Sequence, residues 1–145
     1  MTPPTFTVDA SVWVNGFDQR EPGHKASRSF LEFLRIQNSE IIVPNLLLIE
    51  VGSAISRTRN QPQAATELVE ALGQIPNLTL VPLDDALAEV AQDLAIRHRL
   101  RGADAVYGAV ALRAGSTLVS LDREHLERLT GIVPTKSPEQ ALHSF

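Results

Sequence analysis

The sequence predicts an α/β fold in which helices pack against a largely parallel central sheet. Short runs of β-branched and other apolar residues alternate along the 145 residues with longer segments whose apolar side chains recur at helical spacing. Alternation of this kind is typical of parallel sheets, because each parallel connection needs a crossover element. No internal repeat or linker interrupts the pattern, so we expect a single domain over residues 1–145.

Two strands and four helices are predicted in the first half of the chain. The strand FTV ends at Asp9, and the short helix SVWVNGF closes near Gly16. A second strand, EIIVP, is stopped by Pro44, and Asn45 is suited to cap an apolar helix that runs to about Arg57. The other two helices are HKASRSFLEFLRIQ, which has one apolar face, and QPQAATELVEALGQI.

Three further strands are predicted in the second half, with the sequences LTLVP, STLVS and GIVP. Asp84 is suited to cap a long amphipathic helix, and Gly115 to end the small-residue helix RGADAVYGAVALRAG. Ser137 and Pro138 are expected to open a short terminal helix, as cap and first helical residue.

Composition excludes several classes of protein. A hydrophobic content of 43% suits a full core, and the absence of cysteine removes disulfides, thiolate metal sites and cysteine nucleophiles. No apolar run approaches the roughly 18 residues of a membrane span, and the first residues lack the basic region of a signal peptide. The net charge of −4 is not that of a general nucleic-acid binder, although a local basic patch could still serve. We therefore expect a cytoplasmic protein.

Four acidic residues lie where an apolar segment should not hold a charge, namely Asp9, Glu50, Asp104 and Asp122. Buried carboxylates are usually paired, hydrogen-bonded or bound to a metal, because a lone buried charge is costly. Asp9 and Asp122 follow predicted strands, and open α/β sheets bind ligands at the carboxyl ends of their strands. Carboxylates gathered there cannot all stay ionised without cations, and oxygen ligands suit Mg²⁺ or Mn²⁺. The pattern indicates metal-assisted chemistry.

Each of these acids also has a purely structural alternative. The three aspartates precede or open predicted helices, so they could be N-caps, although a capping carboxylate can still turn one oxygen toward a metal. Glu50 lies within a predicted helix and cannot cap it. The alternative for Glu50 is a buried ion pair with Arg57 or Arg113.

Hydroxyl and basic side chains accompany the acids in the sequence. Ser11 and Ser120 each lie two positions from an aspartate, where a hydroxyl could hold a bound water or a carboxylate. For Ser11 a local cap or turn hydrogen bond is an equal alternative. The cluster RHRLRG could hold a phosphate backbone, or it could be an ordinary solvated helix end; its arginines are Arg97, Arg99 and Arg101.

No other catalytic signature is recognisable in the sequence. The chain has neither a glycine-rich phosphate loop nor a Ser/His/Asp signature. None of its four histidines is predicted to be catalytic, and His125 is expected in a polar helical setting. No two histidines share the close spacing of a typical histidine metal site.

Four short motifs, in this order, resemble the PIN domain family, and within it the VapC-type toxins. The motifs are Asp9-Ala10-Ser11, the segment from Pro44 to Glu50, the segment from Leu100 to Ala105, and the segment from Ser120 to Asp122. Each motif alone is weak, but four in the right order, spread over nearly the whole chain, are fairly specific. A serine at position 120 stands where threonine is also common.

The resemblance implies a three-layer α/β/α sandwich with a mainly parallel sheet, and a ribonuclease that depends on Mg²⁺ or Mn²⁺. It implies that the four carboxylates form the metal site, with Ser120 as an accessory hydroxyl. It also implies an RNA substrate, a homodimer and a protein antitoxin. The apolar richness of LLLIEVGSAI, on more than one helical face, also favours a dimer contact or deep burial.

A non-catalytic, Mg²⁺-binding signalling domain of the receiver-like kind is the alternative from another class. Such a domain is expected to have adjacent acids after its first strand and a late lysine at a strand end. Here Asp9 stands alone after the first strand, and Lys136 is the only lysine besides Lys25. The sequence therefore favours the nuclease, in which the cation would polarise the scissile phosphate and activate water.

Overall fold

A five-stranded parallel sheet forms the centre of the computed structural model, which describes residues 3–144. The strands are β1 Phe6–Val8, β2 Ile41–Pro44, β3 Leu78–Val81, β4 Thr117–Val119 and β5 Thr135–Lys136. The helices within residues 3–144 are α1 Ala10–Phe17, α2 His24–Gln37, α3 Leu46–Arg59, α4 Pro62–Gly73, α5 Asp85–His98, α6 Gly102–Ala114, α7 Arg123–Leu129 and α8 Pro138–Leu142. The predicted α/β class with a mainly parallel sheet is confirmed.

The order of the strands across the sheet is β3-β2-β1-β4-β5, and all neighbouring pairs are parallel. From β1 the chain builds outward through β2 to β3, then returns to the other side of β1 to form β4 and β5. The boundary between β1 and β4 is therefore the topological switch point, where open α/β sheets form a crevice beyond the carboxyl ends of the strands. Val8 is paired with Val119 at this end.

Helices cover both faces of the sheet. In β2 the side chains of Ile41 and Val43 belong to the larger buried cluster, which includes residues of α1 to α4. Ile42, which lies between them, packs instead against a smaller cluster formed by α5 and α6. Because successive side chains of a strand point to opposite faces, the two clusters lie on opposite faces of the sheet. The three-layer α/β/α arrangement implied by the resemblance is confirmed.

Two local predictions are wrong. The segment GIVP was predicted as the fifth strand, but Val133 forms only an isolated bridge with Thr130, and β5 follows it. Gly131, with a φ of +91°, turns the chain there, so the apolar run is a turn closed by a buried Val133. Asn45 stands at the start of α3 in a right-handed helical conformation, and its side chain makes no capping hydrogen bond.

Other helix boundaries follow the sequence signals. Gly115 ends α6 with a φ of +68°, in the left-handed region that favours glycine. Ser137 and Gln140 form a reciprocal capping box at the start of α8. The side chain of Asp84 accepts a 2.8 Å hydrogen bond from the backbone N–H of Leu87 and so caps α5.

Within residues 3–144, no helix combines the length and apolar character that crossing a membrane requires.

We predict that Asp84→Ala lowers the free energy of unfolding by about 1 kcal/mol, because the α5 amide of Leu87 loses its acceptor. For a chain of this size the melting temperature should fall by about 3 °C. Asp84→Asn is the matched control, since asparagine caps as well as aspartate. Equal losses in both variants, measured by thermal denaturation, would show that the charge and not the cap is what matters.

Candidate active site

Asp9 and Asp122 are positioned by the ends of the two strands that meet at the switch point. Asp9 follows β1 directly, and its backbone N–H donates to the carbonyl of Val119 at 3.1 Å. Both side chains cap helices: Asp9 Oδ1 accepts from the N–H of Ser11, and Asp122 Oδ1 accepts from the N–H groups of Glu124 and His125. The structural alternative is therefore correct for these two residues. Each cap uses only Oδ1, so Oδ2 of each carboxylate is left for another role.

Glu50 and Asp104 reach the same region from helices, without capping them. Asp104 lies in the first turn of α6, whose capping position is Arg101, and its side chain is 25% exposed. Glu50 is half-buried on α3, and its Oε1 is buried with no hydrogen-bond partner among residues 3–144. The alternative ion pair of Glu50 is wrong. Arg113 pairs with Asp84 instead, at 3.8 Å, and Glu50 forms no ion pair with Arg57 among the described residues.

The four carboxylates share one electrostatic environment. Burial raises the pKa of Glu50; the Tyr107 hydroxyl lowers it, and the charges of Asp9 and Asp104 raise it further. Burial also raises the pKa of Asp104, where His125 acts in the opposite direction and Asp9 and Asp122 again raise it. The Tyr107 hydroxyl lies near Glu50, but the distance and angle between the two groups are not those of a hydrogen bond. Charge effects therefore link Glu50 with Asp9 and Asp104, and link Asp104 with Asp9 and Asp122.

Their chemistry fits a divalent cation, although the acids are not drawn tightly together. Four carboxylates and an unpartnered buried Oε1 of Glu50 form the oxygen-rich donor set that Mg²⁺ and Mn²⁺ prefer. In the part of the chain that the structure describes, no three metal-ligating side chains are close enough to form a ready-made metal site. A bound cation would therefore have to draw the carboxylates inward.

The two serines near the acids have different surroundings. The Ser11 hydroxyl donates to Asp9 Oδ1 and accepts a 3.1 Å hydrogen bond from the N–H of Leu121, so it ties the end of β1 to the loop after β4. Ser120 is fully buried, and its hydroxyl oxygen accepts from the N–H of Asp122 at 3.0 Å. The Ser120 oxygen therefore shapes the loop that carries Asp122.

His125 is the residue at this site that the sequence analysis missed. It was expected in a polar setting, but it is only 1% exposed, and its Nδ1 lies 3.4 Å from Asp9 Oδ2 and 3.7 Å from Asp104 Oδ1. Burial lowers the pKa of His125, but contact with Asp9 and the charge of Asp104 outweigh burial and raise it overall. A signal was present: His125 precedes Leu129 by four residues, on the buried face of α7.

The predicted basic cluster divides into two parts. Arg99 and Arg101 line a small surface depression together with Asp104 and Asp122, and the charge of Arg101 lowers the pKa of Asp104. Arg97 is not part of that depression; it pairs with Asp93 at 2.6 Å on exposed α5. Arg128 of α7, which was not among the predicted residues, also lines the depression.

Comparison with known proteins identifies the family. The PIN domain family model matches residues 6–131. The chain belongs to the PIN domain family. No curated protein matches it in sequence at a significant level.

Several solved structures share the fold of this PIN domain. They include the DNA-bound VapBC complex of Salmonella typhimurium (TM-score 0.71, 15% identity, 93% of this chain and 98% of that chain covered) and FitAcB of Neisseria gonorrhoeae (0.70, 17%, 92% and 97%). VapC20 of Mycobacterium tuberculosis, a toxin that cleaves the sarcin-ricin loop, is also similar (0.68, 19%, 88% and 96%). The predicted resemblance to PIN domains of VapC type is confirmed at the level of family and fold.

The buried, charged state of Glu50 should cost stability in the metal-free protein. Because its pKa is raised in the folded state, folding takes up a proton, and stability falls as pH rises above the ordinary value of 4.5. Glu50→Gln should therefore raise the melting temperature by a few degrees at pH 7.5 in EDTA. The gain should be largely lost at pH 4, where the parent glutamate is mostly protonated in both states.

Glu70→Gln, on an exposed part of α4, is the matched control and should leave the melting temperature unchanged at both pH values. A loss of stability in Glu50→Gln at pH 7.5 would contradict the expected repulsion among the carboxylates.

Proposed function

We propose that this PIN domain is a metal-dependent endoribonuclease and the toxin of a toxin–antitoxin pair. The observation that carries the proposal is the position of Asp9 beside the end of β4 at the switch point, together with the burial and the neighbouring carboxylates that raise the pKa values of Glu50 and Asp104. Like charges that lie close together repel and so destabilise the folded state. Their accumulation therefore supports a function that uses the combined negative charge.

The residues that would hold the cation are Asp9, Asp104, Asp122 and Glu50. PIN nucleases generally use divalent metal ions, and the donors here are of the kind that Mg²⁺ or Mn²⁺ binds. When bound, such an ion supplies charge stabilisation at a phosphoryl oxygen and makes a water molecule more acidic. No protein nucleophile is needed, which agrees with the absence of cysteine from the sequence.

Each side chain has a distinct part in this proposal. Asp9 is held by the N–H and hydroxyl of Ser11 through Oδ1, and its Oδ2 lies 3.4 Å from Nδ1 of His125. Glu50, with its raised pKa and unpartnered Oε1, is suited to orient a water molecule and to accept its proton. Ser120 holds the loop that carries Asp122.

Positively charged side chains beside the acids support a nucleic-acid substrate. Arg99 and Arg101 line the depression that contains Asp104 and Asp122, so they could hold the phosphates on either side of the cleaved bond. We assign RNA as the substrate because the similar VapC20 is a toxin that cleaves the sarcin-ricin loop. A location in the cytoplasm, where RNA is present, is part of this proposal.

An antitoxin partner and a homodimer complete the proposal. Similar chains occur in the VapBC complex of Salmonella typhimurium and in other toxin–antitoxin complexes. Ile49, next to Glu50 on α3, is 68% exposed, which agrees with a second apolar face on this helix and supports a subunit contact. The receiver-like alternative is not supported, because the chain is a PIN domain and the ammonium group of Lys136 donates to Ser144.

We predict that the purified chain cleaves RNA with Mg²⁺ or Mn²⁺ and that EDTA abolishes cleavage. Asp9→Asn should lower the rate about 100-fold or more, since transition-state charge stabilisation by a metal is worth several kcal/mol, but should keep the fold because asparagine still caps. Asp85→Asn, at the exposed start of α5, is the matched control and should cleave like the parent. Full cleavage in EDTA or by Asp9→Asn would refute the metal-dependent nuclease.

The toxin role has its own test in growing cells. Expression of the parent chain should arrest growth, Asp9→Asn should not, and co-expression of a small DNA-binding protein encoded next to the gene should restore growth. Such a partner is expected to inhibit with an arginine or lysine side chain. Arginine can bind a carboxylate through two hydrogen bonds, and lysine carries a compact positive charge. If growth stops and no neighbouring gene restores it, the antitoxin proposal fails and the nuclease proposal stands.

A further inference from the structure

Two arginines and an exposed aromatic ring meet at the end of helix α1 that lies away from the acids. Asp9 caps the start of α1 and Asp18 caps its end, so the 8 residues of the helix separate the two aspartates. At 1.5 Å per residue this length is about 12 Å. The cluster at the far end shares no lining residue with the depression formed by Arg99 and Arg101, so it is a different surface.

The carboxylate of Asp18 gathers the two arginines. Its Oδ1 accepts from Nε of Arg20 at 3.1 Å and lies 3.4 Å from a terminal nitrogen of Arg59, which comes from the last turn of α3. Two guanidinium groups and one carboxylate leave a net charge of +1. Each guanidinium carries more N–H donors than these contacts use, and Nε of Arg59 is buried without a hydrogen-bond partner among residues 3–144. The cluster therefore has positive charge and unused donors.

These arginines line a surface depression of about 530 Å³. The side chains of Gln19, Thr58 and Gln61, which can donate to or accept from oxygen, complete its polar lining, and Phe17 forms part of its wall. Phe17 is 38% exposed and is the most exposed aromatic residue in the described part of the chain. Proteins that bind single-stranded nucleic acid combine a basic groove with aromatic side chains on which bases stack. The depression has both of these components.

We propose that this depression binds an unpaired nucleotide of the RNA substrate. Arg20 and Arg59 hold its phosphate, and its base stacks on Phe17. The inference rests on the proposed ribonuclease function and adds a substrate-binding site to it. Because the cluster lies at the far end of α1 from Asp9, the nucleotide that it holds is not at the cleaved bond. The site contributes to binding of the substrate and not to the chemical step.

Substitution of Asp18 separates phosphate binding from an ion pair that only joins α1 to α3. In Asp18→Asn the side-chain oxygen can still accept from Arg20, but the negative charge beside the two arginines is lost. RNA binding should become tighter in this variant, whereas Arg20→Gln and Arg59→Gln should weaken it. A purely structural ion pair predicts lower stability in all three variants and an unchanged affinity for RNA.

Fluorescence anisotropy of a labelled single-stranded RNA, titrated with the untagged full chain in EDTA, measures affinity without cleavage. Arg20→Gln/Arg59→Gln should lower the slope of log Kd against log salt concentration by about 0.7, the contribution of one phosphate contact to a single strand. Arg35→Gln removes an exposed arginine that is paired with Glu32 on α2 at 3.3 Å. It is the matched control and should bind RNA like the parent chain.

Phe17→Leu tests the stacking of the base, because leucine keeps an apolar side chain but has no ring. Loss of a stacking aromatic residue weakens binding about fivefold or more per base, so the affinity for single-stranded RNA should fall by that factor. The affinity for a fully paired RNA of the same sequence should not change, since its bases are not free to stack on the ring. Ile36→Ala, at another exposed apolar residue, is the control.

Cleavage kinetics distinguish failure of this site from failure of the proposed function. With Mn²⁺ present, Arg20→Gln/Arg59→Gln should raise KM for single-stranded RNA and change kcat little. If the variants bind and cleave RNA like the parent, the nucleotide site is overturned and the ribonuclease proposal stands. If the parent binds RNA with the expected dependence on these residues but does not cleave it, the ribonuclease proposal fails and the site stands.

Two further results would overturn the inference. A parent chain that binds no RNA has no nucleotide site. Variants of Arg20, Arg59 and Phe17 that bind RNA normally but no longer bind the antitoxin would assign the depression to a protein partner.

Discussion

The parallel pairing of β1 with β4 is the constraint on which the rest of the structure depends. It places Val8 beside Val119 and makes both chain segments leave the sheet at the same edge. The Ser11 hydroxyl joins these segments by bonding both Asp9 and the N–H of Leu121. Without this junction the loops that follow β1 and β4, which carry Asp9 and Asp122, would not be held next to each other.

This geometry opposes stability at the carboxylates. Glu50 and Asp104 are partly buried and lie near other carboxylates, so both have raised pKa values. The fold tolerates the repulsion because Asp9 and Asp122 also cap helices, which stabilises each helix by about 1 kcal/mol. Arg101 and His125 offset part of the remaining charge at Asp104.

The fold class and the four acids could be predicted because each left a local mark in the sequence. Asp9 and Glu50 interrupt apolar runs, and a charge in such a run is conspicuous whatever the tertiary structure. His125 left a weaker mark, because histidine is common on polar helix faces and its burial depends on how α7 packs. The fifth strand was misplaced for a similar reason. The residues IVP have the local composition of a strand, but Gly131 turns the chain there, and the sheet resumes only at β5.

If Asp9 and Asp122 bind the cation as proposed, their capping role affects how a gene for this domain can lose its activity. An aspartate that becomes asparagine exchanges one carboxylate oxygen for an amide group while a capping oxygen remains, so the helix start survives. The encoded protein would stay folded and would escape the rapid turnover of destabilised chains. We therefore expect genetic drift to leave inactive copies of this domain that still fold and carry an altered residue at position 9 or 122.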